Sequence, residues 1–184
     1  MEMQFTPAES AELALIYEIL NKLKSASDQD LKGLALDEMD KKQPALQNLA
    51  RFLYMEKKFS MEQMLEITRL LVLIWLYYKD RLSDPKIKIT DPLYVEMRKK
   101  HELLMDGMHG KSAEHNKKVL NDHLKVYPGR FLYGQVQQAV FHEKSNKLST
   151  LSKKNKAYLL SHLKIIMDCF ESLTDRSSTV SHLN

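Results

Sequence analysis

The sequence is poor in residues that break helices or cross-link chains: its 184 residues include five glycines, five prolines and one cysteine. A single cysteine, Cys169, excludes both a disulfide framework and a cysteine-based zinc site. The scarcity of glycine argues against a phosphate-binding loop, and the motifs GxGxxG, GxSxG and HExxH are absent. No recognisable nucleotide-binding or hydrolase motif therefore remains, although an active site of dispersed residues would carry no such motif.

Long apolar runs are also missing. The most apolar stretch, residues 70–78, reads LLVLIWLYY, whereas a membrane-spanning helix needs about 20 apolar residues. Charged residues flank this stretch on both sides, so we expect a buried core helix rather than a membrane span. Residues 1–11 contain two glutamates, no basic residue and no apolar core, so they do not have the pattern of a signal peptide. With the lone cysteine, these features predict a cytoplasmic protein.

The remaining composition is typical of helices, because Leu, Lys, Met, Glu and Gln are abundant. Thr6 with Glu9, and Ser60 with Gln63, have the spacing of capping boxes. The helix that follows Ser60 becomes apolar on every side after Leu70, which is typical of a helix packed on all sides. We predict an all-α fold, an irregular bundle of about seven to eight helices around a central apolar helix at 61–80.

Two prolines mark the one predicted boundary inside the chain. Pro85 and Pro92 fall at or beside the ends of a connector at 83–91, which separates an N-terminal half (1–82) from a C-terminal half (92–175). Because no linker is long enough to separate the halves, we predict a single helical domain over 1–175. Residues 176–184 are rich in Ser and Thr and are predicted to be a disordered tail.

One segment carries a resemblance to other proteins. An acidic stretch at 37–40 is followed by Gln43-Pro44-Ala45-Leu46, and a later apolar helix contains Ile74-Trp75. This pattern resembles the N-terminal half of uncharacterised bacterial all-helical proteins that carry a Q-P-x-L segment followed by an I-W-containing apolar helix. The resemblance implies a bacterial, cytoplasmic, all-helical protein, and it brings no activity, cofactor or catalytic residue with it.

Charge is unevenly distributed along the chain. Residues 1–92 hold 13 basic and 15 acidic side chains, and residues 93–184 hold 15 and 9, so the halves carry −2 and +6. Five lysines of the C-terminal half lie in a stretch without acidic residues, Lys144, Lys147, Lys153, Lys154 and Lys156. The last three open the final helix, where unpaired N–H groups favour an anion. This cluster predicts a site for an anion or nucleic acid, and a solubilising lysine-rich loop is the alternative.

The candidate metal site is Glu102, Asp106 and His109. Their spacings of four and three place them on one face of a helix, and two carboxylates with one imidazole suit Fe, Mn or Zn. A histidine from a neighbouring helix would complete the site, from the set His115, His123 and His142. The alternative is a set of solvated histidines, and a helix that ended at Gly107 would leave His109 off this face.

Together these features predict a non-enzymatic helical protein-interaction or adaptor module that uses no cofactor. We expect it to bind an acidic protein partner through its basic C-terminal half, and it could form a homodimer. One alternative is a nucleic-acid-associated accessory protein that binds through the same surface. The other is a metal-dependent helical-bundle enzyme, and the residues alone leave open whether the chain is an enzyme.

Overall fold

A computed structural model describes residues 5–31, 36–82, 84, 86–144 and 146–180, with backbone alone for residues 28, 31 and 176–180. This part of the chain is all-α, and no strand occurs in it, which confirms the predicted fold class. Its α-helices are α1 (Pro7–Ser25), α2 (Asp28–Leu31), α3 (Asp37–Lys42), α4 (Pro44–Lys57), α5 (Met61–Tyr78), α6 (Asp91–Met108), α7 (Ala113–Lys125), α8 (Arg130–Phe141) and α9 (Lys153–Val180). Short 3-10 helices lie at Lys79–Arg81 and Lys147–Thr150. None of the described helices is both long and apolar enough to cross a bilayer.

The chain divides into two compact units, an N-terminal unit of residues 1–87 and a C-terminal unit of residues 88–184. The division falls within the stretch 83–91. That the two halves form one domain over 1–175 stays a prediction.

The N-terminal unit is organised by α5, against which α1 and α4 pack. The helix begins at a capping box, in which Ser60 Oγ accepts from the Gln63 amide and Gln63 Oε1 accepts from the Ser60 amide. From Leu70 to Tyr78 only Leu76 is more than marginally exposed, and Trp75 is 1% exposed. The apolar run is therefore a buried core helix, as its composition predicted.

The C-terminal unit is organised by α9, against which α6 and α8 pack. The long helix buries a stripe of apolar side chains, Leu159, Leu163, Ile166, Met167, Phe170 and Leu173 among them. The backbone of residues 176–180 continues α9, and the disordered tail expected at 176–184 stays a prediction. Residues 181–184 lie outside the described part of the chain.

The helix α7 differs from its neighbours because none of its 13 residues is buried. Its ends are satisfied locally: Ser112 Oγ accepts from the His115 amide, and the Arg130 guanidinium donates to the carbonyl of Lys125. These caps supply hydrogen bonds that both ends of a helix otherwise lack. The helix α7 packs against α6, and many of its side chains line an open cavity rather than a packed core.

Candidate functional site

The predicted metal ligands are not brought together. The helix α6 continues one residue past Gly107, and His109 then adopts an extended conformation outside the helix. The Glu102 carboxylate accepts from the Arg98 guanidinium at 2.8 Å, so it is already engaged in an ion pair. In the described ranges, no three His, Cys, Asp or Glu side chains are grouped closely enough to hold a metal ion. The hypothesis that Glu102, Asp106 and His109 form a metal site is therefore not supported by their placement.

The three histidines proposed to complete that site differ from one another in exposure. His115 is exposed in the first turn of α7, and His142 is exposed at the end of α8. His123 is half-buried and faces the space between helices.

The predicted lysine cluster is only partly a surface. Lys144, Lys147, Lys153 and Lys154 are exposed, and the last two lie in the first turn of α9. Lys156 is only 9% exposed, because its position falls on the buried stripe of α9. The cluster therefore presents four lysines to solvent rather than the five predicted.

A cavity of about 630 Å³, called here the α7 cavity, lies between α6, α7, α8 and α9. Each of the four helices contributes apolar side chains to its walls, including Leu104, Met105, Leu120, Leu124, Phe141 and Leu160. The inward side of α7 forms one whole wall, which explains why that helix buries no residue. The walls thus offer apolar surface that the side chains described in the structure leave open.

The charged groups of the α7 cavity have one sign. Lys117 and Lys164 line it, and no Asp or Glu does so among the residues that the structure describes. Lys117 is exposed on α7, whereas Lys164 is 5% exposed on α9. The cavity therefore combines apolar walls with one outer and one inner cation.

Lys164 is held by two contacts. Its ammonium lies 2.5 Å from Asp168 Oδ1, one helical turn along α9, and 3.7 Å from the centre of the Tyr127 ring. Burial lowers the pKa of the Lys164 ammonium, and the Asp168 carboxylate opposes this shift. The side chains of Lys164 and Asp168 are 6% and 22% exposed, so the cation is the more deeply buried partner.

A second cavity of about 570 Å³ is also lined by Lys164. It is called here the acidic cavity, because Asp168, Glu171 and Asp175 of α9 line it. Both cavities share the side chains of His101, Leu104, His123 and Lys164 as lining. Lys164 is therefore part of the wall between an acidic cavity and one that lacks acidic lining among its described residues.

Beside the α7 cavity, Nε2 of His101 and Oδ1 of Asn116 are buried and have no hydrogen-bond partner among the described residues. A polar atom left unsatisfied in this way costs about 1–3 kcal/mol. Burial also lowers the pKa of both His101 and His123. Each imidazole is therefore charged to a smaller extent at pH 7 than a free histidine, and the lysines supply most of the positive charge of the cavity.

Neither Lys164 nor Asp168 is among the site residues predicted from the sequence. A signal for both was present, since Lys164 interrupts the apolar run 163–167 and Asp168 follows it at the i,i+4 spacing of a helical ion pair. What the sequence did not supply is the position of α7, which forms the wall opposite Lys164.

No family model, curated protein or solved structure matches this chain. The residues that line the α7 cavity indicate which ligands it suits. Apolar walls with two lysines complement a molecule that has an apolar body and an anionic head group.

Proposed function

We propose that this chain is a non-enzymatic binding protein whose C-terminal unit takes up a small amphipathic carboxylate in the α7 cavity. The observation that carries the proposal is a cavity of about 630 Å³ with apolar walls, whose charged lining residues in the described structure are both lysines. A straight-chain fatty acid of medium length has the required chemistry.

The dimensions favour a small molecule over a protein segment. Ligand pockets typically enclose about 300–1,000 Å³ and are mainly apolar with a few placed polar groups. The α7 cavity falls within this range and has hydroxyl and amide side chains beside its apolar walls, such as Ser161 and Gln137. Each methylene group that leaves water for such walls contributes about 0.8 kcal/mol.

The charge of the cavity selects the head group. A carboxylate that enters is attracted by both Lys117 and Lys164, and within the described lining it meets no acidic side chain directly. Because Lys164 lies in a poorly hydrated wall, its attraction is less screened than that of an exposed lysine. An amine of the same length finds no carboxylate to pair with among the described lining residues.

This proposal agrees with the non-enzymatic binding role that the sequence predicts, but the ligand is a small amphipathic carboxylate rather than an acidic protein. An acidic protein partner stays a prediction. The nucleic-acid alternative rests on the lysine cluster, in which Lys156 is only 9% exposed. The metal-dependent enzyme has no supporting geometry at Glu102, Asp106 and His109 in the described structure.

Calorimetric titration with octanoate, 1-octanol and octylamine tests the proposal, because the three ligands share a chain and differ in charge. We expect octanoate to bind most tightly and octylamine most weakly. We also expect the affinity to rise about fourfold for each methylene added from hexanoate to octanoate. Equal affinity for all three head groups, or no binding of any of them, would contradict the proposal.

A matched pair of variants locates the site. Leu124 lines the α7 cavity, so Leu124→Trp fills part of it and should weaken octanoate binding at least tenfold. Leu103 is 71% exposed on α6 and does not line the cavity, so Leu103→Trp adds the same side chain elsewhere. If both variants bind octanoate like the unmodified protein, the ligand does not occupy the α7 cavity.

A further inference from the structure

Lys164 is one cation that two cavities share. It lines the α7 cavity and the acidic cavity, and its ammonium is paired with Asp168, which lines only the acidic cavity. This inference rests on the proposed function, in which a ligand carboxylate in the α7 cavity would approach the same ammonium that Asp168 already contacts.

The distances place these two carboxylates close to each other. Asp168 Oδ1 lies 2.5 Å from the Lys164 ammonium, and a ligand oxygen paired with the same group would lie about 2.8 Å from it. The two carboxylates would then be no more than about 5.3 Å apart, where like charges repel strongly in a partly buried site. The Tyr127 ring already covers another side of the ammonium, at 3.7 Å.

We infer that Asp168 is an internal counter-ion that holds Lys164 in the empty protein, and that a ligand carboxylate replaces it. The exchange keeps the buried ammonium paired throughout, which avoids the cost of an isolated buried charge. Asp168 can leave the pair because its side chain is the more exposed partner and borders the open acidic cavity. Asp168 is thus a positioning residue that sets the affinity of the α7 cavity.

The exchange has a consequence on the far side of Lys164. When a ligand takes over the ammonium, the Asp168 carboxylate is left facing the acidic cavity beside Glu171 and Asp175. That cavity becomes more negative when the α7 cavity is filled. Ligand binding in the α7 cavity therefore changes the net charge of the residues that line the acidic cavity.

Titration of Asp168→Asn with octanoate tests this inference. The asparagine removes the competing charge and keeps the shape, so we expect octanoate to bind about tenfold more tightly than to the unmodified protein. The affinity for neutral 1-octanol should stay within twofold, which a general loosening of the cavity would not produce. Asp106→Asn is the matched control, because Asp106 is exposed on α6 and lines neither cavity.

Unchanged or weaker octanoate binding by a folded Asp168→Asn protein would overturn the inference. If this variant does not fold, the unmodified protein carries the test, through the carboxyl ¹³C resonance of Asp168. We expect that resonance to move on saturation with octanoate while that of Asp106 does not, and a stationary Asp168 resonance would overturn the exchange. If octanoate binds but the substitution of Asp168 has no effect, the inference fails and the proposed function is retained. If neither the unmodified protein nor any variant binds octanoate, both the inference and the proposed function fail.

Discussion

The ion pair between Lys164 and Asp168 should stabilise the fold, and removal of one partner should lower the free energy of unfolding more than removal of the other. The two side chains are 6% and 22% exposed, so the ammonium is buried more completely than the carboxylate. Removing one partner of a buried pair leaves the other charge uncompensated, at a cost of about 3–5 kcal/mol when that charge cannot reach water. The cost should therefore depend on which partner is removed.

Asp168→Asn leaves the deeply buried ammonium without its carboxylate. The Tyr127 ring at 3.7 Å compensates in part, by about 1–2 kcal/mol in a desolvated setting. We expect a loss of about 3 kcal/mol in the free energy of unfolding. Lys164→Met fills the same volume with an apolar chain and leaves a carboxylate that can be hydrated from the acidic cavity. We expect a smaller loss, about 1–2 kcal/mol.

The double variant Lys164→Met/Asp168→Asn removes both charges together. Because no buried charge is left unpaired, its free energy of unfolding should lie within about 1 kcal/mol of the unmodified value. The coupling energy of the double-mutant cycle would then be about 3 kcal/mol, far above the value for an exposed pair. Arg98 and Glu102 form such an exposed pair on α6, at 56% and 52% exposure, and provide the control cycle.

Urea unfolding followed by far-ultraviolet circular dichroism at pH 7.5 measures these free energies. Additive effects of the two substitutions would refute the reasoning, since they would show that the partners do not depend on each other. A larger loss for Lys164→Met than for Asp168→Asn would refute the asymmetry. Losses below about 0.5 kcal/mol for both would show that the pair behaves like a surface salt bridge.

Four further predictions use the rest of the chain. Cys169 is fully buried and its pKa is raised to about 12 by burial, so the native protein should not react with iodoacetamide at pH 8, and fast alkylation would contradict this burial. The pKa values of His101 and His123 are lowered in the folded state, so stability is full above about pH 6.5 and is lost as pH falls through their folded values. Urea unfolding should show a lower free energy of unfolding at pH 5.5 than at pH 7.5, and the double variant His101→Gln/His123→Gln should show a smaller decrease. Ser60→Ala removes an N-cap and should cost about 1 kcal/mol by the same assay. If the chain is a single domain, the fluorescence of its one tryptophan, Trp75, should follow the same urea transition as circular dichroism, and separate transitions would contradict this.

Local sequence patterns were sufficient to predict much of the fold. Thr6 and Ser60 cap helices where their spacing to Glu9 and Gln63 predicts capping boxes. The apolar run around Trp75 is buried because a helix that is apolar on all sides has no face to offer water. These features depend on neighbours within one or two helical turns, which a sequence displays directly.

The structure places one residue of each charge-based site differently from its predicted position. Lys156 lies three residues before Leu159 and seven before Leu163, so it shares the face of α9 that α6 and α8 cover. Reading that stripe back by one turn would have separated Lys156 from the exposed lysines. His109 fell off the expected face because α6 ends one residue before it, and helix ends are predicted less accurately than helix interiors.

The site itself depends on an arrangement that no local pattern specifies. An isolated helix of 13 residues is marginal in water, and most helices are stabilised by burying one face. The helix α7 buries no residue, and its ends are held by Ser112 and Arg130 instead. The inward apolar side chains of α7, such as Leu120 and Leu124, line the cavity together with Lys164.

A ligand with an apolar body would supply the packing that α7 lacks. Its binding should therefore protect the amide protons of α7 from exchange more than those of α8, whose Leu132, Val136 and Val140 are already buried. Hydrogen exchange with and without octanoate measures this difference. Equal protection of both helices at saturation would show that α7 is not completed by the ligand, and that its open inner face needs another explanation.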